Sequence, residues 1–155
     1  MGFISASLFG QKPNIIIILA DDLGYSDIGV QGSKDIPTPF INSLAENGIR
    51  FTNAYVTAPQ CSPSRAGLLT GRYQQRFGHE YNFDINEDSL GLSVKEKLIG
   101  EYLKSFGYHT GAVGKWHLGA APKFHPLNRG FDEFWGFLGG SHDYFKTKPD
   151  ANVWH

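Results

Sequence analysis

The sequence has little that would define a disulfide-rich, membrane-spanning or nucleic-acid-binding protein. Its 155 residues include one cysteine, so no disulfide can form within the chain. The net charge of -1 favours neither a nucleic acid nor an anionic membrane surface as the partner. No run approaches the roughly 20 apolar residues that cross a bilayer. With 41% hydrophobic and 19% charged residues, the composition is that of a globular domain, and 19 glycines and 8 prolines predict many turns.

The first ten residues, MGFISASLFG, are apolar and small, and the chain turns polar at Gln11. This pattern is typical of the end of a secretory signal and its cleavage site, although the basic start is missing and the apolar stretch is short. A frayed N-terminal arm explains the pattern equally well, so both interpretations of residues 1–12 stay open. The first interpretation predicts an exported protein, periplasmic or secreted.

Two predicted strands flank a helix in the first third of the chain. Residues 14–20, NIIIILA, form a continuous β-branched run that is typical of a buried strand in a parallel sheet. Thr38 as N-cap and Pro39 at the first helical position predict a helix that ends at Gly48. Residues 49–55 predict a second strand. The three segments together predict a β-α-β unit with parallel strands.

The same alternation continues further along the chain. Residues 62–70 predict a short helix. Ser93 and Glu96 have the spacing of a capping box, which predicts a helix that begins there and ends at Gly107. Residues 108–113 predict a third strand. The pattern predicts the α/β class, with a mainly parallel sheet flanked by helices.

Three polar clusters follow predicted strands or open a predicted helix. They are Asp21-Asp22, the segment from Cys61 to Arg65, and the segment from Lys115 to His117. Open parallel sheets bind their ligands beyond the carboxyl ends of the strands. We therefore expect the three clusters to converge on one site.

The adjacent carboxylates of Asp21 and Asp22 repel each other unless a positive charge lies close to both. A divalent cation is the usual solution, and hard oxygen ligands favour calcium or magnesium. Taken alone, the pair is more often a solvated turn. It does not match an aspartate-nucleophile phosphatase loop, which needs a second Asp two residues after the first.

Cys61 lies where a predicted helix begins, and a helix N-terminus is electropositive and attracts anions. Arg65 lies one helical turn further and reaches the same side. An anion near residue 61 would meet backbone donors, the helix dipole and a guanidinium group. A cysteine-dependent phosphatase does not fit, because it needs five residues between Cys and Arg where this chain has three.

Four blocks of sequence resemble the sulfatase family, in the order in which that family has them. They run from Pro13 to about Tyr144 and comprise CSPSR at 61–65 followed by LTG at 69–71, NIIIILADDLGYSD at 14–27, GKWHLG at 114–119, and GFDEFWG at 130–136. The block CSPSR at 61–65 resembles the C-x-P-S-R signature of the family, and the block at 14–27 resembles its first strand and metal loop. The resemblance implies a partial alkaline-phosphatase-like fold and a sulfuric ester hydrolase.

The resemblance also implies a modified nucleophile and a metal ion. Cys61 would be oxidised by a formylglycine-generating maturation enzyme, and the resulting formylglycine would be both nucleophile and metal ligand. Asp21 and Asp22 would be further ligands of a calcium ion, with magnesium the weaker alternative. Arg65 would hold the charge of the formylglycine and of the sulfate.

Two further residues acquire catalytic roles from the same resemblance. Lys115 would bind a sulfate oxygen, and His117 would orient the formylglycine hydrate. His142 and Asp143 follow Gly-Gly-Ser and are candidates to face the substrate, with a purely structural loop as the competing interpretation. We expect three other histidines to be structural: His79, His109 and His125.

The implied reaction is the hydrolysis of a sulfate monoester of a small molecule or carbohydrate. One hydroxyl of the hydrated aldehyde attacks sulfur and releases the substrate alcohol, and the other then loses its proton and re-forms the aldehyde as sulfate departs. Two alternatives stay open. One is a phosphonate or phosphate ester hydrolase of the same superfamily, and the other is a non-catalytic remnant.

The family pattern continues with an Asp-Asn metal pair, another His and another Lys, none of which is assigned in this chain. Eight aromatic residues between Phe124 and Trp154 show no clear helical or strand period and need a surface to pack against. We therefore expect residues 13–155 to be the N-terminal part of a sulfatase catalytic domain. We also expect the isolated chain to be poorly active or inactive.

Overall fold

The computed structural model describes residues 11–84, 86–143 and 145, and the backbone of 153–154. The N-terminal segment 1–10, in which a signal remnant is one interpretation, lies outside the described residues. The chain divides into two compact units, Met1–Arg50 and Phe51–His155, which are described separately.

The first unit contains one α-helix, α1, at Pro39–Asn47, and a 3-10 turn at Gly29–Gln31. Thr38 is the N-cap residue of α1, as its sequence predicts, and Gly48 is the C-cap. The Thr38 hydroxyl accepts the Gly29 N–H at 2.8 Å and donates to Asn42 Oδ1 at 3.0 Å. These bonds tie the start of α1 to the preceding turn.

The two strands predicted on either side of α1 are wrong. Residues 11–20 are extended but belong to no strand, and the Ile16 and Ile18 side chains are each 83% exposed. Residues 49–55 are likewise irregular. A strand needs a neighbouring strand to bond its backbone groups, and the described part of the first unit contains none.

The second unit has two α-helices, α2 at Cys61–Thr70 and α3 at Ile99–Ser105, and a 3-10 helix at Gln74–Phe77. Helix α2 forms where the sequence predicts a helix. It ends at Gly71, whose φ of 65° suits glycine and whose N–H bonds the Gly67 carbonyl at 2.9 Å. Within the described ranges, no helix is long and apolar enough to cross a membrane.

Helix α3 does not begin at Ser93, because a buried arginine takes the carbonyl groups of that segment. Arg129, 2% exposed, donates to the carbonyl oxygens of Leu92 at 3.0 Å, Ser93 at 3.3 Å and Glu96 at 2.7 Å. The Ser93 carbonyl, which has a second lone pair, also accepts the Glu96 N–H at 3.0 Å and closes a single turn. The segment therefore forms an irregular turn.

The ends of α3 are closed by other residues. The Leu98 N–H donates to Glu101 Oε2 at 2.7 Å, so the carboxylate half of a capping box forms here, at the true helix start. At the other end, Gly107 has a φ of 77°, and its N–H donates to the Lys104 carbonyl at 2.9 Å. The predicted stop at Gly107 is correct.

A three-stranded sheet follows, in the order β1-β2-β3. The strands are β1 at Gly111–Lys115, β2 at Glu133–Phe137 and β3 at Val153–Trp154. Strands β1 and β2 are parallel, with Gly111 opposite Glu133 and Lys115 opposite Phe137, whereas β3 is antiparallel to β2. Two 3-10 turns lie between β1 and β2, at Pro122–Phe124 and Pro126–Asn128. The mixed helix-and-strand architecture with a parallel pair confirms the predicted class.

Strand β1 begins later than the predicted 108–113 because the preceding residues bond elsewhere. The Tyr108 N–H donates to the Leu103 carbonyl at 3.1 Å, at the end of α3. The Thr110 N–H donates to Asp132 Oδ2 at 2.9 Å. The strand then extends through Lys115, which places that residue at the carboxyl end of β1.

The core of the second unit is built from α2 and from the segments that flank α3, β1 and β2. Trp116 contributes its Nε1–H to the Phe124 carbonyl at 3.0 Å and packs edge-on against Phe131, with 5.8 Å between ring centroids. The buried residues of this core are Ala66, Leu92, Leu98, Trp116, Leu118, Phe131 and Leu138. Because Trp116 lies between Lys115 and His117, this packing fixes the backbone that carries both.

Candidate active site

Cys61 is the first residue of α2 and is partly buried. The preceding Gln60 is extended, and its carbonyl accepts the Ser64 N–H at 3.1 Å. The Ser62 N–H, one of the donors that a helix start leaves unsatisfied, donates to Asn82 Oδ1 at 3.0 Å. The loop after α2 thus supplies the cap for the helix end at which Cys61 lies.

Arg65 joins two of the predicted clusters. Its Nη1 donates to the main-chain carbonyl oxygen of Lys115 at 2.5 Å. This bond connects the first turn of α2 to the last residue of β1, both in the second unit. The predicted convergence of the Cys61–Arg65 and Lys115–His117 clusters is therefore observed.

His117 is 7% exposed and is held from several sides. Its φ of 58° lies in the left-handed region, which is uncommon for a residue with a side chain. The His117 N–H donates to the Leu138 carbonyl at 3.1 Å, and its own carbonyl accepts the Ser62 hydroxyl at 2.6 Å. Both backbone groups are thus fixed by other segments.

The imidazole of His117 also lies against Gly140. A Cβ built on Gly140 would lie 2.7 Å from His117 Cε1 and 2.8 Å from its Nε2, closer than real Cβ atoms approach other atoms. The absence of a side chain at residue 140 therefore makes room for this ring. The sequence pattern indicates the two residues that follow Gly139-Gly140-Ser141 and gives no signal at the glycine itself.

Ser62, which lies within the predicted Cys61–Arg65 cluster but had no role of its own, and His79, which was expected to be structural, also lie at this site. Ser62 is 1% exposed and His79 is 2% exposed, and Ser62 Oγ lies 2.7 Å from His79 Nε2. Burial, and secondly the positive charge of His117 when protonated, lower the pKa of His79 to about 4. His79 thus stays neutral near pH 7. A polar Gly-His-Glu-x-Asn stretch at 78–82, after a helix that begins with cysteine, is the signal that points to it.

Asp21 and Asp22 belong to the first unit, directly after the extended segment, and both are exposed. Asp22 has a φ of 57°, which Asp tolerates better than most residues. In the following turn, Asp27 Oδ2 accepts the Gly24 N–H at 2.6 Å. Two adjacent carboxylates are a donor set that suits a hard divalent cation.

His142 and Asp143 lie in the loop after β2. The His142 ring stacks on Phe137, with 5.3 Å between centroids and 21° between planes. Asp143 is exposed, and its Oδ1 accepts the Phe145 N–H at 2.9 Å. A role for either residue toward a substrate stays a prediction.

The other two histidines have contacts away from α2. His109 is exposed, and its Nε2 lies 2.8 Å from Glu133 Oε1, which raises the pKa of His109. His125 is buried, its Nδ1 accepts the Leu127 N–H at 3.3 Å, and burial lowers its pKa. These contacts agree with the structural roles expected for both.

Comparison with known sequences places the site in a family. Residues 13–155 match the family described as Sulfatase. Human arylsulfatase G is 44% identical over 140 residues, which cover 90% of this chain and 26% of that protein. Human N-acetylgalactosamine-6-sulfatase is 44% identical over 157 residues, which cover 97% of this chain and 30% of that protein. The chain thus spans less than a third of the curated relatives it matches.

Comparison with solved structures agrees. The crystal structure of Ps i-CgsB superposes with a TM-score of 0.83 at 53% identity, covering 86% of this chain and 30% of that one. A second crystal structure of Ps i-CgsB, in complex with k-i-k-neocarrahexaose, superposes equally well at 52% identity. The predicted sulfatase-type, alkaline-phosphatase-like fold is confirmed by this likeness.

Proposed function

Because this chain belongs to the sulfatase family, we propose that the protein that carries it is an arylsulfatase-like sulfuric ester hydrolase. The observation that carries the proposal is the hydrogen bond of Arg65 to the Lys115 carbonyl, at 2.5 Å. It connects the helix end that presents Cys61 to the strand end that presents Lys115 and His117. Arg65, Lys115 and His117 therefore belong to segments that are held together next to Cys61.

Each of these side chains has a proposed task toward the substrate. Arg65 and Lys115 meet negative charge on the sulfuryl oxygens, and charge-assisted hydrogen bonds of this kind are stronger than neutral ones. His117, nearly excluded from solvent, orients the nucleophile at residue 61. The start of α2 adds the positive end of its dipole.

Membership in the family implies a metal ion and a formylglycine derived from the signature cysteine. We propose that these are Ca²⁺ and residue 61, with Asp21, Asp22 and residue 61 as ligands on this chain. The exposed carboxylate pair has the oxygen donors that Ca²⁺ prefers, with Mg²⁺ as the weaker candidate. When bound, the cation supplies positive charge that stabilises charge developing on the sulfuryl oxygens.

The proposed substrate is a sulfated carbohydrate. N-acetylgalactosamine-6-sulfatase is named for a sulfated amino sugar, and Ps i-CgsB has been crystallised with an oligosaccharide, k-i-k-neocarrahexaose. His142 and Asp143, in the loop after β2, are the proposed substrate contacts. A formylglycine-generating enzyme is the proposed maturation partner, and the periplasm or the cell exterior is the proposed location.

The proposal is tested on the protein that carries this chain, co-expressed with a formylglycine-generating enzyme. Mass spectrometry of the peptide with residue 61 measures conversion, and turnover is measured in parallel with an aryl sulfate, a sulfated oligosaccharide and an aryl phosphate. We expect Cys61 of the wild type to be converted to formylglycine and the wild type to release sulfate. We expect Cys61→Ala to have no turnover.

The matched control is Ser64→Ala, which alters the same helical turn but keeps Cys61. Among the described residues, Ser64 Oγ donates to the Cys61 carbonyl at 3.0 Å. Faster turnover of the phosphate ester would support the phosphoesterase alternative. An unconverted thiol with no turnover of any ester would contradict the proposed function and favour a non-catalytic remnant.

A further inference from the structure

Ser62 makes two short hydrogen bonds through one hydroxyl group. Its Oγ lies 2.6 Å from the His117 carbonyl oxygen and 2.7 Å from His79 Nε2. A carbonyl oxygen only accepts, so the single hydroxyl proton of Ser62 must lie on the bond to His117. His79 must then donate its Nε2–H to Ser62 Oγ. This proton count fixes the tautomer of His79.

The surroundings of His79 agree with that tautomer. Its other nitrogen, Nδ1, is buried and has no hydrogen-bond partner among the described residues, as suits a ring nitrogen without a proton. The ring packs edge-on against Phe83, with 4.5 Å between centroids. His79 is therefore held as a directed donor in a dry environment, where a hydrogen bond gains strength.

We propose that His79 is a positioning residue. It acts through Ser62 to keep the start of α2, with residue 61, in a fixed position relative to the loop that carries His117. The donor at His79 fixes the Ser62 proton on the His117 carbonyl. The two hydrogen bonds from His79 to Ser62 and from Ser62 to the His117 carbonyl form a relay. Because Ser62 directly follows residue 61, the relay links the nucleophile position to the backbone of His117. The inference rests on the proposed function for its catalytic consequence.

Loss of the donor would have a defined effect. Without His79 Nε2–H, the Ser62 hydroxyl is no longer held to one acceptor, and α2 and the His117 loop can shift relative to each other. Displacements of about 1 Å at a reacting centre cost on the order of 100-fold in rate. The loss would appear in kcat rather than in KM, because the relay aligns reacting groups and does not bind substrate.

The experiment compares His79→Leu, which removes the donor, with His79→Gln, whose side-chain amide can donate from a similar position. Ser62→Ala and the double variant complete a mutant cycle. Rates are normalised to the formylglycine content of each variant, so that impaired maturation is not counted as impaired catalysis. His109→Gln, at an exposed histidine of the same unit, is the matched control.

We expect His79→Leu to lower kcat by roughly 10- to 100-fold with little change in KM, and His79→Gln to recover most of that loss. The double variant should be no worse than the poorer single variant, because both residues act in one relay. Equal kcat values for wild type and His79→Leu, or fully additive losses in the cycle, would overturn the inference.

Two measurements on the folded protein do not depend on turnover. Nitrogen NMR of the imidazole should show His79 protonated at Nε2 and not at Nδ1. Amide hydrogen exchange at His117, whose N–H bonds Leu138, should be faster in His79→Leu than in His79→Gln. If the wild type hydrolyses no ester, the proposed function fails, while these two results still decide whether His79 positions the loop. A proton on Nδ1 would refute the relay.

Discussion

Arg65 donates from Nη1 to the main-chain carbonyl oxygen of Lys115 at a distance of 2.5 Å. The arginine thus has a structural task, joining α2 to β1, in addition to its proposed electrostatic one. Its guanidinium carries five N–H donors in a planar fork, and this bond takes one of them. Lysine supplies a similar charge but not that geometry.

Arg65→Lys should therefore lower kcat/KM for a sulfate ester by about 100-fold, and Arg65→Ala by about 1000-fold, the range seen when a preorganised charge-stabilising donor is removed. Steady-state kinetics of the matured protein provide the measurement. Arg76→Lys, at an exposed arginine of the same unit, is the control. Full activity of Arg65→Lys would show that charge alone is required.

Gly140→Ala should disturb His117, since the new Cβ would lie 2.7 Å from the imidazole. We expect the ring to be displaced, with a loss of 1–3 kcal/mol in unfolding free energy, as for overpacked sites, and at least tenfold in kcat. Urea unfolding and kinetics measure the two effects. Gly111→Ala is the matched control, because a Cβ at Gly111 meets nothing within 4 Å. Equal behaviour of the two variants would contradict the tight fit.

Arg129→Met should destabilise the second unit. The substitution leaves one buried carbonyl oxygen, that of Leu92, and two partly buried ones, those of Ser93 and Glu96, without the guanidinium that they bond. At roughly 1 kcal/mol for each lost bond, the expected decrease in unfolding free energy is about 3 kcal/mol. Chemical denaturation measures it, with the exposed Arg76→Met as control. A decrease below about 1 kcal/mol would mean that the carbonyls find other partners.

Stability should depend on pH through His79. Its pKa is lowered from 6.5 to about 4 in the folded chain, so between these values the unfolded chain binds a proton that the folded chain does not. The contribution of neutral His79 to the free energy of unfolding is then fully present above pH 6.5. It is lost as pH falls toward 4, at up to about 1.4 kcal/mol per pH unit.

The pH effect of His79 is isolated by comparing wild type with His79→Gln in urea unfolding series from pH 4 to 8. The carboxylates and the other histidines titrate in both proteins, so the difference between the two slopes belongs to residue 79. We expect the slope below pH 6.5 to be smaller in His79→Gln. Parallel curves would show that His79 titrates normally in the folded protein.

Removal of divalent cations should abolish turnover, since Asp21 and Asp22 are the proposed metal ligands. Dialysis against a chelator followed by titration with Ca²⁺ or Mg²⁺ should restore activity, with Ca²⁺ effective at lower concentration. Asp22→Asn should raise the Ca²⁺ concentration required by at least tenfold. Asp35→Asn, at another exposed aspartate, should not. Full activity after chelation would rule out a metal requirement.

The elements that local sequence determines were predictable. Helices α1 and α2 form as predicted because Pro39 sets the first turn of one and Gly71 ends the other with a left-handed residue. The approach of Arg65 to Lys115 follows from the parallel-sheet rule, although that rule does not name the carbonyl oxygen as the acceptor. The family resemblance added the roles of these residues.

The elements that depend on distant partners were not predictable from local pattern. Residues 14–20 have a strand composition but no partner strand in the described part of their unit. Ser93 has a capping sequence, but Arg129, far along the chain, takes the carbonyl groups. Strand β2 was missed because exposed Trp135 interrupts its polar and apolar alternation. The contact of His79 with Ser62 joins residues 17 positions apart and leaves no periodic signal.

The left-handed backbone of His117 sets a limit on how stable this unit can become. A non-glycine residue in that region typically costs about 1 kcal/mol or more, and the surrounding bonds to Leu138 and Ser62 keep it there. Selection for thermostability alone would favour glycine or asparagine at residue 117, whereas selection for turnover would keep the imidazole. Thermostabilised variants chosen without an activity screen should therefore accumulate substitutions that replace His117.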